Sequence, residues 1–184
     1  SLKGTQMQGL DASQLGAMDS ADLRELSAAA VQGLRSGALS GLSSSQVSAL
    51  GTSQVQALTT AQVVGLASVQ AQGLSTTQSG VLSASVLGRL GTGAVAVLST
   101  GVVKSLTVDQ LAGLSSAQLG SLKTAQVAVL TTAQAPAFTS AQARGLSTAQ
   151  VQALSDDGLK KITTTAVAGL STDVLVSLGT DRLG

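Results

Sequence analysis

Leu146–Leu154 reads L-S-T-A-Q-V-Q-A-L, and the fold is decided by how that stretch recurs. Stepping by eight from Leu146 reaches Leu154, Ile162, Leu170 and Leu178. Stepping back reaches Phe138, Leu130 and Leu122, and so on through Leu26, Met18 and Leu10 to Leu2. All 23 stops are large and apolar, with no insertion or deletion, and 23 octads account for the 184 residues. A fixed short period is the signature of a stacked repeat architecture. The chain is therefore read as one array over 1–184. It starts and stops in phase without atypical end repeats, so it is expected to be a piece of a longer array.

The octad positions are named a to h, starting at the Leu. Position b is usually Ser or Thr, c is Ser or Thr in 17 copies, and e is Gln in 13. Ser147 stands three residues before Gln150, the spacing of a capping box. In that box the hydroxyl accepts from the N3 amide and the Gln reaches back to the N-cap amide. Leu146 and Val151 then fall at the two positions of a hydrophobic staple. The same pair of signals recurs at Ser43/Gln46, Thr59/Gln62, Ser75/Gln78, Ser115/Gln118, Thr131/Gln134 and Thr139/Gln142. A helix start is predicted in every octad.

These helices must also stop. Eight residues of continuous helix turn through about 800°, so the apolar column would drift by about 80° per copy and face every direction within a few copies. The chain is expected to break and restart, giving an all-α solenoid, a superhelix of short capped helices with one per eight-residue repeat. Positions f and the following a are three apart and share a face, read as the interior. Positions d and h, as in Ala149 and Ala153, form a small-residue face, read as the place where neighbouring coils approach. Positions c and g are expected to look outward. Helices this short are marginal alone, since isolated helices below about 12 residues barely form in water. Contact between coils must hold them. The alternative is a β-solenoid, suggested by abundant Ser, Thr, Val and Gly and by the alternating G-A-V-A-V-L at Gly93–Leu98. Against it, a and f are five apart and would lie on opposite faces of a strand, and Gln and Ala are poor strand formers.

Departures from the pattern are informative. Asp19–Leu26 loses the Gln but keeps Leu23 and Leu26, with Asp19 read as an N-cap. Ala71 and Ser79 make the f column thin. From Leu82 to Leu106 position e becomes Val86, Ala94 and Val102 while Gly88, Gly91, Gly93 and Gly101 accumulate, so this is read as a soft segment or bend. Pro136 stands five residues into its octad, where it removes an internal bond. Ala135 and Phe138 change beside it, a repacking at similar volume. The last copies gain D-D-G-L-K-K (Asp156–Lys161) and T-D-R-L (Thr180–Leu183), read as a solvated end.

Chemistry has little to work with. The chain is 43% apolar, 1% aromatic and 10% charged, with net charge +1 and neither Cys nor His. Thiolate, imidazole and disulfide chemistry are excluded. Arg24, Arg35, Arg89, Lys104, Lys123, Arg144, Lys160, Lys161 and Arg182 spread over several columns, so no basic face for nucleic acid is expected. No apolar run approaches the roughly 18 residues of a membrane span. The acids Asp11, Asp19, Asp22, Glu25, Asp109, Asp156, Asp157, Asp173 and Asp181 sit mostly at helix starts, which suits the dipole. G-R-L-G-T-G (Gly88–Gly93) lacks the lysine and spacing of a phosphate loop. No catalytic, cofactor-binding or metal-ligating residue is expected, and no cofactor. What remains is the surface itself: a ladder of c hydroxyls (Thr124, Thr132, Ser140, Thr148) and of e glutamines, read either as helix-start chemistry or as a face for carbohydrate, another array or ordered water.

Runs such as L-S-T-A-Q-V-Q-A-L, L-T-T-A-Q-V-V-G-L and L-K-T-A-Q-V-A-V-L resemble the octapeptide arrays of very long secreted or surface proteins of Gram-negative bacteria. The resemblance implies a spacer, stalk or adhesive role outside the cell. The expected function is a non-enzymatic structural rod that pairs with itself, end-to-end or laterally. The alternative is a solenoid binding module for peptide, glycan or nucleic acid.

Overall fold

The computed structural model describes residues 7–183. Leu2, the first a position, lies outside the described residues, as do the side chains of Thr180, Asp181 and Leu183 in the T-D-R-L end. Among the described residues there is no strand, and each octad from Leu10 to Leu170 carries one short helix or 3-10 turn. The fold class is an all-α solenoid, and the β-solenoid alternative falls.

The break between helices is made by two extended residues. In the octad at Leu50, Leu50 itself has φ −61 and ψ 139, and Gly51 follows with φ −71 and ψ 156. The helix then runs Thr52–Gln56. Both conformations are open to any L-residue, so the turn needs no left-handed glycine. Among the described residues Gly179 alone has positive φ, at 64°, and it stands at a b position where Ser or Thr elsewhere caps. That freedom lets b be spent on hydroxyls. All seven capping boxes read from the sequence form, Ser147 Oγ accepting from the Gln150 amide at 3.3 Å while Gln150 Oε1 accepts from the Ser147 amide at 2.8 Å. Asp19 departs: it sits at the N-cap with extended backbone but its carboxylate takes no cap bond. Asp22 stands at N3 there in place of the Gln of the regular octads.

The chain divides into two compact units, residues 1–98 and 99–184. The octad phase runs through Leu98 and Ser99 unbroken. In the first unit helix Ser20–Glu25 packs on Ser44–Ala49, which packs on Ser68–Ala71, which packs on Thr92–Ala96. In the second, Thr100–Ser105 packs on Thr124–Val127, which packs on Thr148–Ala153, which packs on the last helix, Thr172–Leu183. Each helix thus meets the one three octads on, while side-chain bonds between coils span 28 to 31 residues. One turn of the coil therefore takes between three and four octads.

The interior consists of columns a, e and f. Leu and Val at a and f are buried as expected, with Val55, Val95, Val127 and Val151 wholly so. Ala71 and Ser79 complete the f column at 1% and 0% exposure. The d column is a correction. Ala125, Ala133, Ala141 and Ala149 are exposed, because the helix tilts its d edge outward and puts e inward instead. Position h does mark the close approach. A Cβ on Gly73 would overlap the carbonyl of Ser44, and one on Gly145 the carbonyl of Ser116, each a c residue of the coil beneath. Position g is exposed along most of the chain.

Pro136 is accommodated on that exposed g column. Elsewhere the g amide donates to the c carbonyl, as Ala128 does to Thr124 at 2.8 Å. Pro136 cannot, and Ala135–Ala137 tightens to a 3-10 turn. Phe138 stays buried at 3% exposure, so the core is continuous there. From Leu82 to Leu106 helices Ala84–Leu87, Thr92–Ala96 and Thr100–Ser105 still form, with Ser83 and Ser99 capping.

Candidate functional site

The repeated polar feature with the most built geometry is the glutamine column. The sequence presents these residues as half of a capping box or as rungs on the surface. They are in fact buried, Gln62 and Gln126 at 2% exposure. Gln62 Oε1 accepts from the Thr59 amide at 2.9 Å. Its Nε2 faces the coil beneath and donates to the carbonyls of Val31 and Leu34, both at 2.8 Å, with Gln32 at 3.3 Å.

The same clamp recurs throughout. Gln54 holds Leu23 and Leu26 at 2.7 and 2.6 Å, and Gln78 holds Val47 and Leu50 at 2.8 Å each. In the second unit Gln134 holds Val103 and Leu106, Gln142 holds Leu111 and Leu114, and Gln150 holds Leu119 and Leu122. In these the acceptors are an f carbonyl and the next a carbonyl, while Gln46 and Gln70 take a g carbonyl, of Gly16 or Ser40, with the next a, Met18 or Leu42. The extended a and b residues that end one helix leave an a carbonyl outside any helical ladder, and one side-chain amide satisfies it while capping its own helix. An unmade bond at such a group costs about 1–3 kcal/mol, which makes the column a structural necessity. The amide rungs are therefore closed to carbohydrate or water.

Two signals in the sequence point to this role. Gln persists where b cannot cap: Gly51, Ala67 and Lys123 have no acceptor hydroxyl, yet Gln54, Gln70 and Gln126 take their amides. The e column also contains no Glu, although a capping box accepts either. Of the two side chains a capping box accepts, only the amide offers the donors that two carbonyls require. At the far end Arg182 stands at position e and does the same work, donating to the carbonyls of Gln152 at 3.0 Å and Leu154 at 2.7 Å. Its Nε pairs with Asp156 at 2.8 Å.

The hydroxyl ladder fares differently. Thr124 and Thr132 are exposed, Ser140 and Thr148 half-buried. Asp11 caps its helix, and Asp22, Asp109, Asp156, Asp157 and Asp173 lie in first turns. Among the described residues no three acidic, His or Cys side chains gather as metal ligands. No described helix is long and apolar enough to cross a membrane.

Stacked octads held by a buried glutamine ladder define a structural repeat protein, an all-α solenoid. Residues 15–52 and 108–140 match the family model of the ALTTAQ repeat, and the string A-L-T-T-A-Q itself stands at Ala57–Gln62. The two matches support a repeat-array family. No curated protein matches the chain.

Proposed function

We propose that the chain is a non-enzymatic spacer: one array of octads over 1–184 that separates or presents other parts of a secreted or cell-surface protein. The observation that carries this reading is where the polar chemistry goes. The recurrent buried amides are consumed between coils, the recurrent hydroxyls cap helices, and the acids sit at helix starts, so polar residues are spent on architecture. A stack in which each helix seats on the one three octads before lengthens as octads are added. Pairing of copies through their coils belongs to the same reading, as does a role in adhesion.

Small-angle X-ray scattering on dilute, monomeric protein tests it. A compact domain of this length has a radius of gyration of about 16 Å. A spacer is expected to exceed that clearly, with a skewed distance distribution. A value at the compact limit would defeat the spacer reading and favour a folded binding module.

A further inference from the structure

Glutamine gives way at position e in three runs of three successive octads: Asp22, Ala30 and Ala38; Val86, Ala94 and Val102; and Gly158, Ala166 and Val174. Between the runs it is unbroken, from Gln46 to Gln78 and from Gln110 to Gln150. The carbonyls that the first run would face lie mostly outside the described residues. The second run occupies residues 82–105 and the third 154–177, and none of their e side chains carries a donor. One turn of the coil takes between three and four octads, so each run strips the clamps from most of a turn.

The consequence is visible inside each unit. The carbonyls of Leu58 and Leu66, 28 residues before Val86 and Ala94, accept from no described group, and neither do those of Leu130, Phe138 and Leu146 before the third run. These five residues are nonetheless as buried as clamped ones, Leu66 at 7% and Leu146 at 6% against 7% for Leu50. Side chains still close over the turn, Val95 at 0% exposure. Opening a clamped rung breaks a hydrogen bond before water replaces it. Opening one of these rungs gives water to a carbonyl that had no partner, so the balance tilts toward opening. The boundary between the two compact units falls inside the second run, between residues 98 and 99.

We propose that residues 82–105 and 154–177 are joints built into the array, turns closed at rest that open before the clamped octads and let the chain lengthen while the blocks from Gln46 to Gln78 and from Gln110 to Gln150 stay folded. Lengthening under tension rests on the spacer reading above; the ease of opening does not. A stacked array opens turn by turn because each octad is held only by its neighbours, so an unclamped turn is where opening starts.

The chain has no cysteine, so one introduced thiol reports local opening by its rate of labelling in the native state. Val47 and Val95 are both f residues, 2% and 0% exposed. Gln78 holds the Val47 carbonyl at 2.8 Å, whereas Val95 follows Ala94. Val95→Cys is expected to label about a hundredfold faster than Val47→Cys, since each missing bond changes opening about fivefold and three are missing. Urea titration of both variants removes any difference in global stability. Adding Val86→Gln, Ala94→Gln and Val102→Gln is expected to slow Val95→Cys toward the Val47→Cys rate. Leu159→Cys against Leu119→Cys repeats the comparison in the second unit, and its slowing by Gly158→Gln, Ala166→Gln and Val174→Gln separates a missing clamp from fraying. Equal rates for Val47→Cys and Val95→Cys overturn the proposal, as does a Val95→Cys rate that the folded glutamine variant leaves unchanged. Pulling the chain in an optical trap is expected to give early steps of about 80 Å, one unclamped run drawn out at about 3.4 Å per residue, which the glutamine variants shift to higher force. Unfolding in one step overturns the joints. Scattering that finds a compact monomer would sink the spacer, while the labelling rates still decide whether the turns open.

Discussion

Gln62→Glu changes one nitrogen to oxygen and nothing else in shape, which makes it the sharpest probe of the buried ladder. Gln62 Nε2 lies 2.8 Å from the carbonyls of both Val31 and Leu34. A glutamate there must be protonated to fold, and its single O–H can serve only one of the two. At pH 4 the expected cost is about 1 kcal/mol, one lost hydrogen bond. Ionised, the carboxylate would set a charge against two carbonyl oxygens at 2% exposure, so the folded state holds the proton and its pKa rises above the unfolded value of about 4.3. Folded chains then bind more protons than unfolded ones, and stability falls as pH rises from about 4.3 toward the folded pKa. At 1.36 kcal/mol per unit the further loss by pH 7 is at most about 3.7 kcal/mol. Urea titrations of wild type and variant at pH 4 and pH 7 give the difference of differences. Gln14→Glu is the control: Gln14 is exposed and its Nε2 donates to no described carbonyl, so its effect is expected to stay within about 0.5 kcal/mol at both pH values. Equal destabilisation by Gln62→Glu at pH 4 and pH 7 would refute the clamp.

Val86 occupies an e position above Leu58, whose carbonyl no described side chain holds. Val86→Gln should restore a clamp to Val55 and Leu58 and raise stability by about 1 kcal/mol; an unchanged urea midpoint would argue against the ladder as a source of stability. Hydrogen exchange is expected to be faster in residues 82–106, where Val86, Ala94 and Val102 interrupt the ladder, than in 107–122, where Gln110 and Gln118 cap and Gln142 and Gln150 hold the carbonyls; uniform exchange would show that the missing glutamines do not soften the segment. Gly73→Ala drives a Cβ into the Ser44 carbonyl and is expected to cost about 1–2 kcal/mol as two coils spread. Gly80→Ala, in helix Thr76–Gly80 with nothing within 4 Å of the added carbon, is expected to gain about 0.5–1 kcal/mol; thermal melts that rank the two alike would remove the h column from the coil contact.

The sequence by itself determined the repeat, the helix in each octad and the Leu/Val interior. These are local matters. A capping box lies within four residues, and the drift of an eight-residue period on a helix of 3.6 residues per turn follows from arithmetic. Asp19 shows the limit of even that local rule: a residue of the right type stands at the N-cap and makes no cap bond. Only the tertiary structure decided which way the helix rolls about its axis, and so that e is buried and d exposed. It also decided that Gln62 bonds Val31 and Leu34. That partner lies 28 to 31 residues away, and the separation depends on how far each extended a–b pair rotates the next helix. Small changes in those backbone angles, summed over a turn, set whether three or four octads close it. The absence of Glu from the e column shows that a donor is needed; which carbonyls receive it is a property of the closed coil.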